Sequence, residues 1–214
     1  MNFRYPIFLD LSGKTCLVVG EGHELAGKVR RLVDAGATVR YVNPRAEAAI
    51  EALATAGLIS WERREFEECD LDGCFLAIAD CEDNAGIFRL AEQRRVLINA
   101  VDDPQHCRFS FGSVHRQGDL TIAISTNGAA PALAVRLRER LEREIGAEYG
   151  ELLRILRDAR DEIGSRIADF SARRALWYRI VDSDILDKLR LGQREEAERA
   201  LRQMIEEASK REST

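Results

Sequence analysis

Nowhere in the 214 residues is there an apolar run approaching the ~18 that a membrane-crossing helix needs, so no membrane span is expected. The opening stretch, MNFRYPIFLDLSGK, lacks a long apolar core and a small-residue cleavage site, so a secretory leader is not expected either. There is no CxxC pair. The cysteine number is odd, at five (Cys16, Cys69, Cys74, Cys81 and Cys107), which suits a reduced cytoplasmic chain better than a disulfide scaffold. Cys69, Cys74 and Cys81 lie close in sequence, but their spacing matches no zinc pattern. A basic excess is also missing: the net charge is −5, which argues against a nucleic-acid surface. An anionic ligand would have to be held by local groups rather than by the overall field. There are no internal repeats and no low-complexity segments. What remains, 45% hydrophobic and 32% charged, reads as a soluble globular chain with a heavily charged surface.

Within residues 1–103, apolar runs alternate with amphipathic ones. TCLVVGEG, from Thr15, is apolar and ends in glycines, as a buried parallel strand does before a tight turn. Leu25, Val29, Leu32 and Val33 then recur at helical spacing until Gly36. TVRYVN reads as a second strand, PRAEAAIEALATAG as a helix, LISWERREF as a third strand and CFLAIAD as a fourth. NAGIFRLAEQRR is helical, and VLINAVDD is a fifth strand. This alternation predicts an α/β fold built on a doubly wound, Rossmann-like parallel sheet.

Two features of this region suggest chemistry. Gly20-Glu21-Gly22 falls between the first strand and the first helix, where glycines let a pyrophosphate approach the backbone and the helix start supplies amides. The third glycine of the full dinucleotide fingerprint should fall at Leu25, so the alternative is a sharp turn that binds nothing. Where an acid for the adenosine ribose is usual, Asn43 stands, followed by Pro44 and Arg45. Asn43 can still bond a hydroxyl and Arg45 could meet a 2′-phosphate, so these residues alone do not choose between NAD and NADP. The second feature is INAVDD, Ile98 to Asp103, an apolar strand that runs into two acids and then Pro104. Asp before Pro is ordinary turn chemistry. An acid at the carboxyl end of a parallel strand, however, points at the ligand crevice, where Asp102 could act as a base or attract a divalent cation. Asp103 should then point elsewhere and cap the turn.

Past Pro104 the pattern changes. RFSFGSVHRQGDLTIAIST reads as a hairpin about Gln117-Gly118-Asp119. The segment from Asn127 to Gly146 reads as a helix with Leu133, Leu137 and Leu141 on one face, capped by Thr126 or Asn127, with Pro131 near its start. A hairpin and one striped helix are too small to enclose a core, so residues 104–150 are expected to form a dimerisation and substrate-binding unit. Residues 151–214 read as a charged helical C-terminal domain, with breaks near Gly164–Ser165, Asp182–Asp184 and Gly192.

Several of these segments together resemble one family. YPIFLDLSGKTCLVVGEG, CFLAIAD, INAVDDP and above all LTIAISTNGAAPALAVRLRERLE are similar to the precorrin-2 dehydrogenase/sirohydrochlorin ferrochelatase family, the N-terminal module of siroheme synthases. The likeness runs in order over residues 3–145. Beyond 150 it extends only to the helical tails of stand-alone members, and the chain is expected to be of that form, without the methyltransferase domain that some members carry. The resemblance implies a cytoplasmic homodimer that oxidises precorrin-2 to sirohydrochlorin with NAD. In bifunctional members, ferrous iron is then taken as a substrate to give siroheme. By position, Gly20, Gly22, His23 and Glu24 match the family's nucleotide turn, and Asn43, Pro44 and Arg45 match the segment around the adenosine. Asp102 matches the acid implicated in both activities, and Thr126 falls where some members carry a phosphorylatable serine. The implied tetrapyrrole carries acetate and propionate arms. Ser125, Thr126, Asn127 and Gly128 at the helix start suit them, with Arg108, His115, Arg116 and Arg136 as further candidate donors, although each of those reads more readily as a solvated surface charge. His106, four residues after Asp102, could help hold iron or be a plain loop histidine. The chain departs from the family at Glu21, where a glycine is usual, and at Gly27-Lys28, where an Arg-Lys pair is usual. Dehydrogenase activity alone, or a non-catalytic tetrapyrrole- or nucleotide-binding regulatory module, are the alternatives these departures leave open.

Overall fold

The computed structural model describes residues 4–212, so the outermost ends of the first and last expected domains lie outside the described residues. Two compact units emerge, residues 1–111 and 112–214.

The first unit is built on a five-stranded parallel sheet in the order β3-β2-β1-β4-β5, with β1 Thr15–Gly20, β2 Thr38–Val42, β3 Ser60–Glu62, β4 Leu76–Asp80 and β5 Leu97–Ala100. Helices α1 Leu25–Asp34, α2 Ala48–Thr55 and α3 Asn84–Arg94 are the crossovers. Residues Cys16 to Gly20 are buried throughout because β1 lies mid-sheet with side chains covered on both faces. Cys16 and Val18 pack with Leu25, Val29 and Tyr41 on one side, while Leu17 and Val19 pack with Ile87, Ala91 and Ile98 on the other. These two apolar layers hold the sheet rigid, and both β2 and β4 pair with β1. Chain order reverses between β1 and β4, which makes their carboxyl ends the switch point where doubly wound sheets take ligands. The third strand is shorter than LISWERREF suggested. Arg64, at its far end, leaves the sheet to pair with the buried Asp70 at 2.6 Å, and Arg40 of β2 joins it at 3.1 Å.

In the second unit, β6 Ser113–Gln117 and β7 Leu120–Ile124 form the expected hairpin, turning at Gly118. It packs with α4 Pro131–Glu144 and α5 Ala147–Arg166. With α6 Phe170–Val181, α7 Ile185–Arg190 and α8 Arg194–Glu212 these make one unit, where the sequence suggested separate segments 104–150 and 151–214. The core comes from α5 to α8, with Ile155, Ile163, Leu176, Ile180, Ile185 and Leu201 among its buried residues. The breaks at Asp182–Asp184 and Gly192 are present. The break expected near Gly164–Ser165 is present as well, just past that pair: α5 ends at Arg166 and α6 begins at Phe170. Among the described residues of α4 only Ala134 is buried, and Leu133 and Leu137 of the apolar stripe remain exposed. No helix among the described residues is long and apolar enough to cross a membrane.

Candidate cofactor and catalytic site

Gly20 closes β1 with φ +108, a conformation open to glycine; a Cβ there would lie 2.0 Å from the Asp80 carbonyl. The buried Tyr41 of β2 fixes this turn by donating its hydroxyl to the Gly20 carbonyl at 2.5 Å, with the Arg45 carbonyl 3.2 Å away. Burial pushes the Tyr41 phenol up to about 12, so it stays a donor at every working pH. The chain then passes Glu21 and Gly22 into α1, whose N-cap position is Glu24. His23 and Glu24 are exposed. Glu24 is paired with Lys28 one turn on at 2.5 Å, which holds its carboxyl below the ordinary range.

The adenosine-side residues form a second small turn. The Asn43 amide donates to the Arg45 carbonyl at 2.7 Å, and Trp61 of β3 donates to the Asn43 carbonyl at 2.9 Å. Pro44 and Arg45 are exposed, and the Arg45 guanidinium stands 3.8 Å from Glu21. A cavity of about 620 Å³ opens beside the strand ends, with Val19, Asn43, Cys81, Gly86 and Ile87 on its walls, a size suited to a nucleoside. Burial pushes the Cys81 thiol to about 11, so it presents no thiolate there. A glycine turn at the strand end and a nucleoside-sized cavity beside Asn43 are the features that a dinucleotide site requires.

Beside the turn, at the ends of β4 and β5, stand two acids. Asp102 is exposed and sits just past β5, with the Val101 amide still bonded to the Ala79 carbonyl at 2.8 Å. Its φ is +55, a left-handed conformation that costs a non-glycine residue energy. Asp80, the last residue of β4, was not singled out from the sequence, although the same reasoning applied to Asp102 reaches it: an acid ends a parallel strand at the crevice. Burial first, and then the charge of Asp102, raise its carboxyl above the ordinary range.

The neighbours of Asp102 differ from expectation. Asp103 occupies the N-cap position of the short helical turn Pro104–His106 but makes no capping bond, because its carboxylate takes His106 Nδ1 at 2.6 Å instead. His106 also packs edge-on against Phe88, at 5.3 Å between ring centres. Arg108 lies over the same Phe88 ring and forks onto Glu92.

The second unit holds the residues expected to meet the acidic arms. The Ser125 hydroxyl accepts the Asn127 amide at 3.1 Å and the Thr126 hydroxyl accepts the Ala130 amide at 3.3 Å. Asn127 and Gly128 both have positive φ. This loop leads to Ala130 as the N-cap residue and Pro131 at the first helical position, so Thr126 braces the cap rather than being it. Arg136 is exposed and pairs with Glu139 at 2.8 Å. His115 departs from the surface donor expected: it is 3% exposed, with its Nε2 2.9 Å from the Ile145 carbonyl, tying β6 to the α4–α5 junction. A cavity of about 900 Å³ in this unit is lined by Leu156, Arg160, Phe170, Arg173, Trp177 and Tyr178. No group of three or more metal-ligating side chains occurs among the described residues, the three close cysteines included.

A glycine turn at the switch point of a doubly wound sheet is where proteins of the dinucleotide-binding class hold their ligand, and an NAD(P)-binding family model matches residues 7–113. Models of the sirohaem biosynthesis protein central region and the sirohaem synthase dimerisation region match residues 117–144 and 148–205. Siroheme synthase of Nitrosococcus oceani is 36% identical over 204 residues, which are 94% of this chain and 44% of that protein. Siroheme synthase 1 of Pectobacterium atrosepticum is 38% identical over 208 residues, 96% of this chain and 43% of that one. The chain thus spans less than half the length of these relatives. Among solved structures, SirC, a precorrin-2 dehydrogenase, superposes with a TM-score of 0.74 at 25% identity, covering 95% of this chain and all of that one. The chain belongs to the precorrin-2 dehydrogenase/sirohydrochlorin ferrochelatase family, the siroheme synthase N-terminal module.

Proposed function

We propose that this chain is a cytoplasmic, homodimeric enzyme that oxidises precorrin-2 to sirohydrochlorin with NAD and then inserts ferrous iron, a substrate, to give siroheme. NAD, when bound, supplies the hydride acceptor. Precorrin-2 must lose one hydride and one proton to become sirohydrochlorin, and iron insertion must remove two pyrrole protons. A fixed carboxylate at the mouth of the crevice can take a proton in each reaction. The observation that carries this reading is Asp102, exposed at the carboxyl end of β5 where its charge acts on Asp80 at the end of the neighbouring strand. Gly20, Gly22 and the α1 start would hold the pyrophosphate, and Asn43 and Arg45 the adenosine. The loop Ser125–Gly128 and Arg136 would meet the acidic arms.

The homodimer is supported by the dimerisation model over residues 148–205 and by apolar faces that the protomer leaves uncovered: Leu133 and Leu137 on α4, Phe170, Tyr178 and Val181 on α6. A dehydrogenase without chelatase activity is the second reading, favoured by the full-length likeness to a protein named for that activity alone. The test is the pair Asp102→Asn and Asp103→Asn, assayed for both reactions and for NAD binding. Asn tolerates the left-handed backbone, so Asp102→Asn removes charge with little effect on the fold. It should abolish chelation and most dehydrogenation while still binding NAD, whereas Asp103→Asn, which only loosens His106, should be mild. Near-normal turnover of both reactions by Asp102→Asn would return this acid to the role of a turn residue.

A further inference from the structure

The crevice holds one acid that family membership leaves unexplained. Asp80 does more than sit near the glycine turn. A Cβ built on Gly22 would lie 1.6 Å from Asp80 Oδ2 and 2.4 Å from its Cγ, so the carboxylate fills the space that the missing side chain opens. That space is the face across which a pyrophosphate must approach the backbone. Register fixes the placement, because Asp80 pairs with Gly20 across β1 and β4 and its side chain leaves the sheet over the turn. Glu21, on the same turn, stands at the rim with its carboxylate 3.8 Å from the Arg45 guanidinium.

We propose that Asp80 is the gate on the dinucleotide site: the carboxylate excludes the pyrophosphate, the neutral carboxyl admits it, and this chain binds NAD with uptake of a proton at Asp80. The proposal rests on the reading that NAD occupies this crevice. The groups that act on Asp80 are His23 and Glu24 from the turn, Lys28 from α1 and Asp102 past β5, and Asp80 acts in turn on its neighbour Cys81. Burial and the charges of Asp102 and Glu24 favour the neutral form; His23 and Lys28 oppose them, but Lys28 is engaged with Glu24 at 2.5 Å. A bound pyrophosphate adds like charge beside Asp80, which pushes the equilibrium further toward the protonated acid. Affinity should therefore fall as pH rises, and it should stop falling when the acid is removed.

The experiment is titration calorimetry of the full chain with NAD from about pH 5.5 to about pH 8, in buffers of differing protonation enthalpy. The unsubstituted chain and its Asp80 variants are compared side by side, so that proton uptake at any other group cancels in the difference. The expected result is net proton uptake with Asp80 present that is lost in Asp80→Asn and Asp80→Ser. Both variants should bind NAD at least about tenfold more tightly than their parent at the upper pH. Urea unfolding of each variant confirms that the site is intact. NAD binding by the parent with no proton uptake, or no tightening in either variant, overturns the proposal and leaves the NAD reading standing. Absence of NAD binding by the unsubstituted chain and by every variant overturns both.

Discussion

Replacing Tyr41 with Phe probes whether the glycine turn is held by the sheet beneath it. The ring would stay, fully buried and 6.3 Å from Trp61 between ring centres, so packing changes by little more than one oxygen. What is lost is the hydroxyl that donates to the Gly20 carbonyl at 2.5 Å and lies 3.2 Å from that of Arg45. A neutral hydrogen bond contributes about 1 kcal/mol net, and leaving a buried carbonyl unpaired adds its desolvation cost, so the first unit should lose about 2 kcal/mol. That is about a thirtyfold shift in its folding equilibrium. Trp61 fluorescence during urea unfolding, in a Trp177→Phe background that silences the second unit, would report the loss. Because the same bond sets the path of the turn, NAD affinity should drop several-fold as well. A stability change under about 0.5 kcal/mol with unaltered NAD binding would refute the idea that Tyr41 positions this turn.

Three further outcomes are expected. Gly22→Ala should cost about 2 kcal/mol by driving a methyl into the Asp80 carboxylate, and adding Asp80→Ala should recover most of that loss, as a double-mutant cycle in urea would show. Asp70 is 1% exposed, and its bond from Arg64 lowers its carboxyl below the ordinary range, with Arg40 and the Glu67 amide contributing. With a folded value below the unfolded one, its stabilisation is present above the unfolded value near 3.8 and is lost as pH falls through the folded one. Asp70→Asn should therefore remove about 2 kcal/mol at neutral pH and flatten the acid limb of the stability curve, followed by circular dichroism. Light scattering at micromolar concentration should give a dimer mass, and Leu137→Asp with Tyr178→Asp should shift it toward the monomer.

The parallel sheet was legible because its strands are apolar on both faces and its helices keep a strict period. Val18 and Leu17 point to opposite layers that are both buried, which is why the run TCLVV carries no alternation. The exposed place of Asp102 just past a strand end was legible from the sequence. Its partner Asp80 follows from the same rule, but the rule was applied to one strand only, and the contact with Gly22 depends on cross-strand register that a linear reading does not display. His115 failed for a related reason: a polar residue in a hairpin reads as exposed until the Ile145 carbonyl, thirty positions on, is known to meet it. The α5 boundary was legible to within two residues of Gly164–Ser165, the buried Ile163 keeping the last turn helical as far as Arg166.

The most direct measurement is an anaerobic reaction of the purified chain with precorrin-2 and NAD, followed by addition of ferrous iron, with the absorbance spectrum recorded throughout. The expected result is NADH formed in step with sirohydrochlorin, then conversion to siroheme when iron is added, with both phases lost in Asp102→Asn. No NADH formation from precorrin-2 by the unsubstituted chain would contradict the assignment.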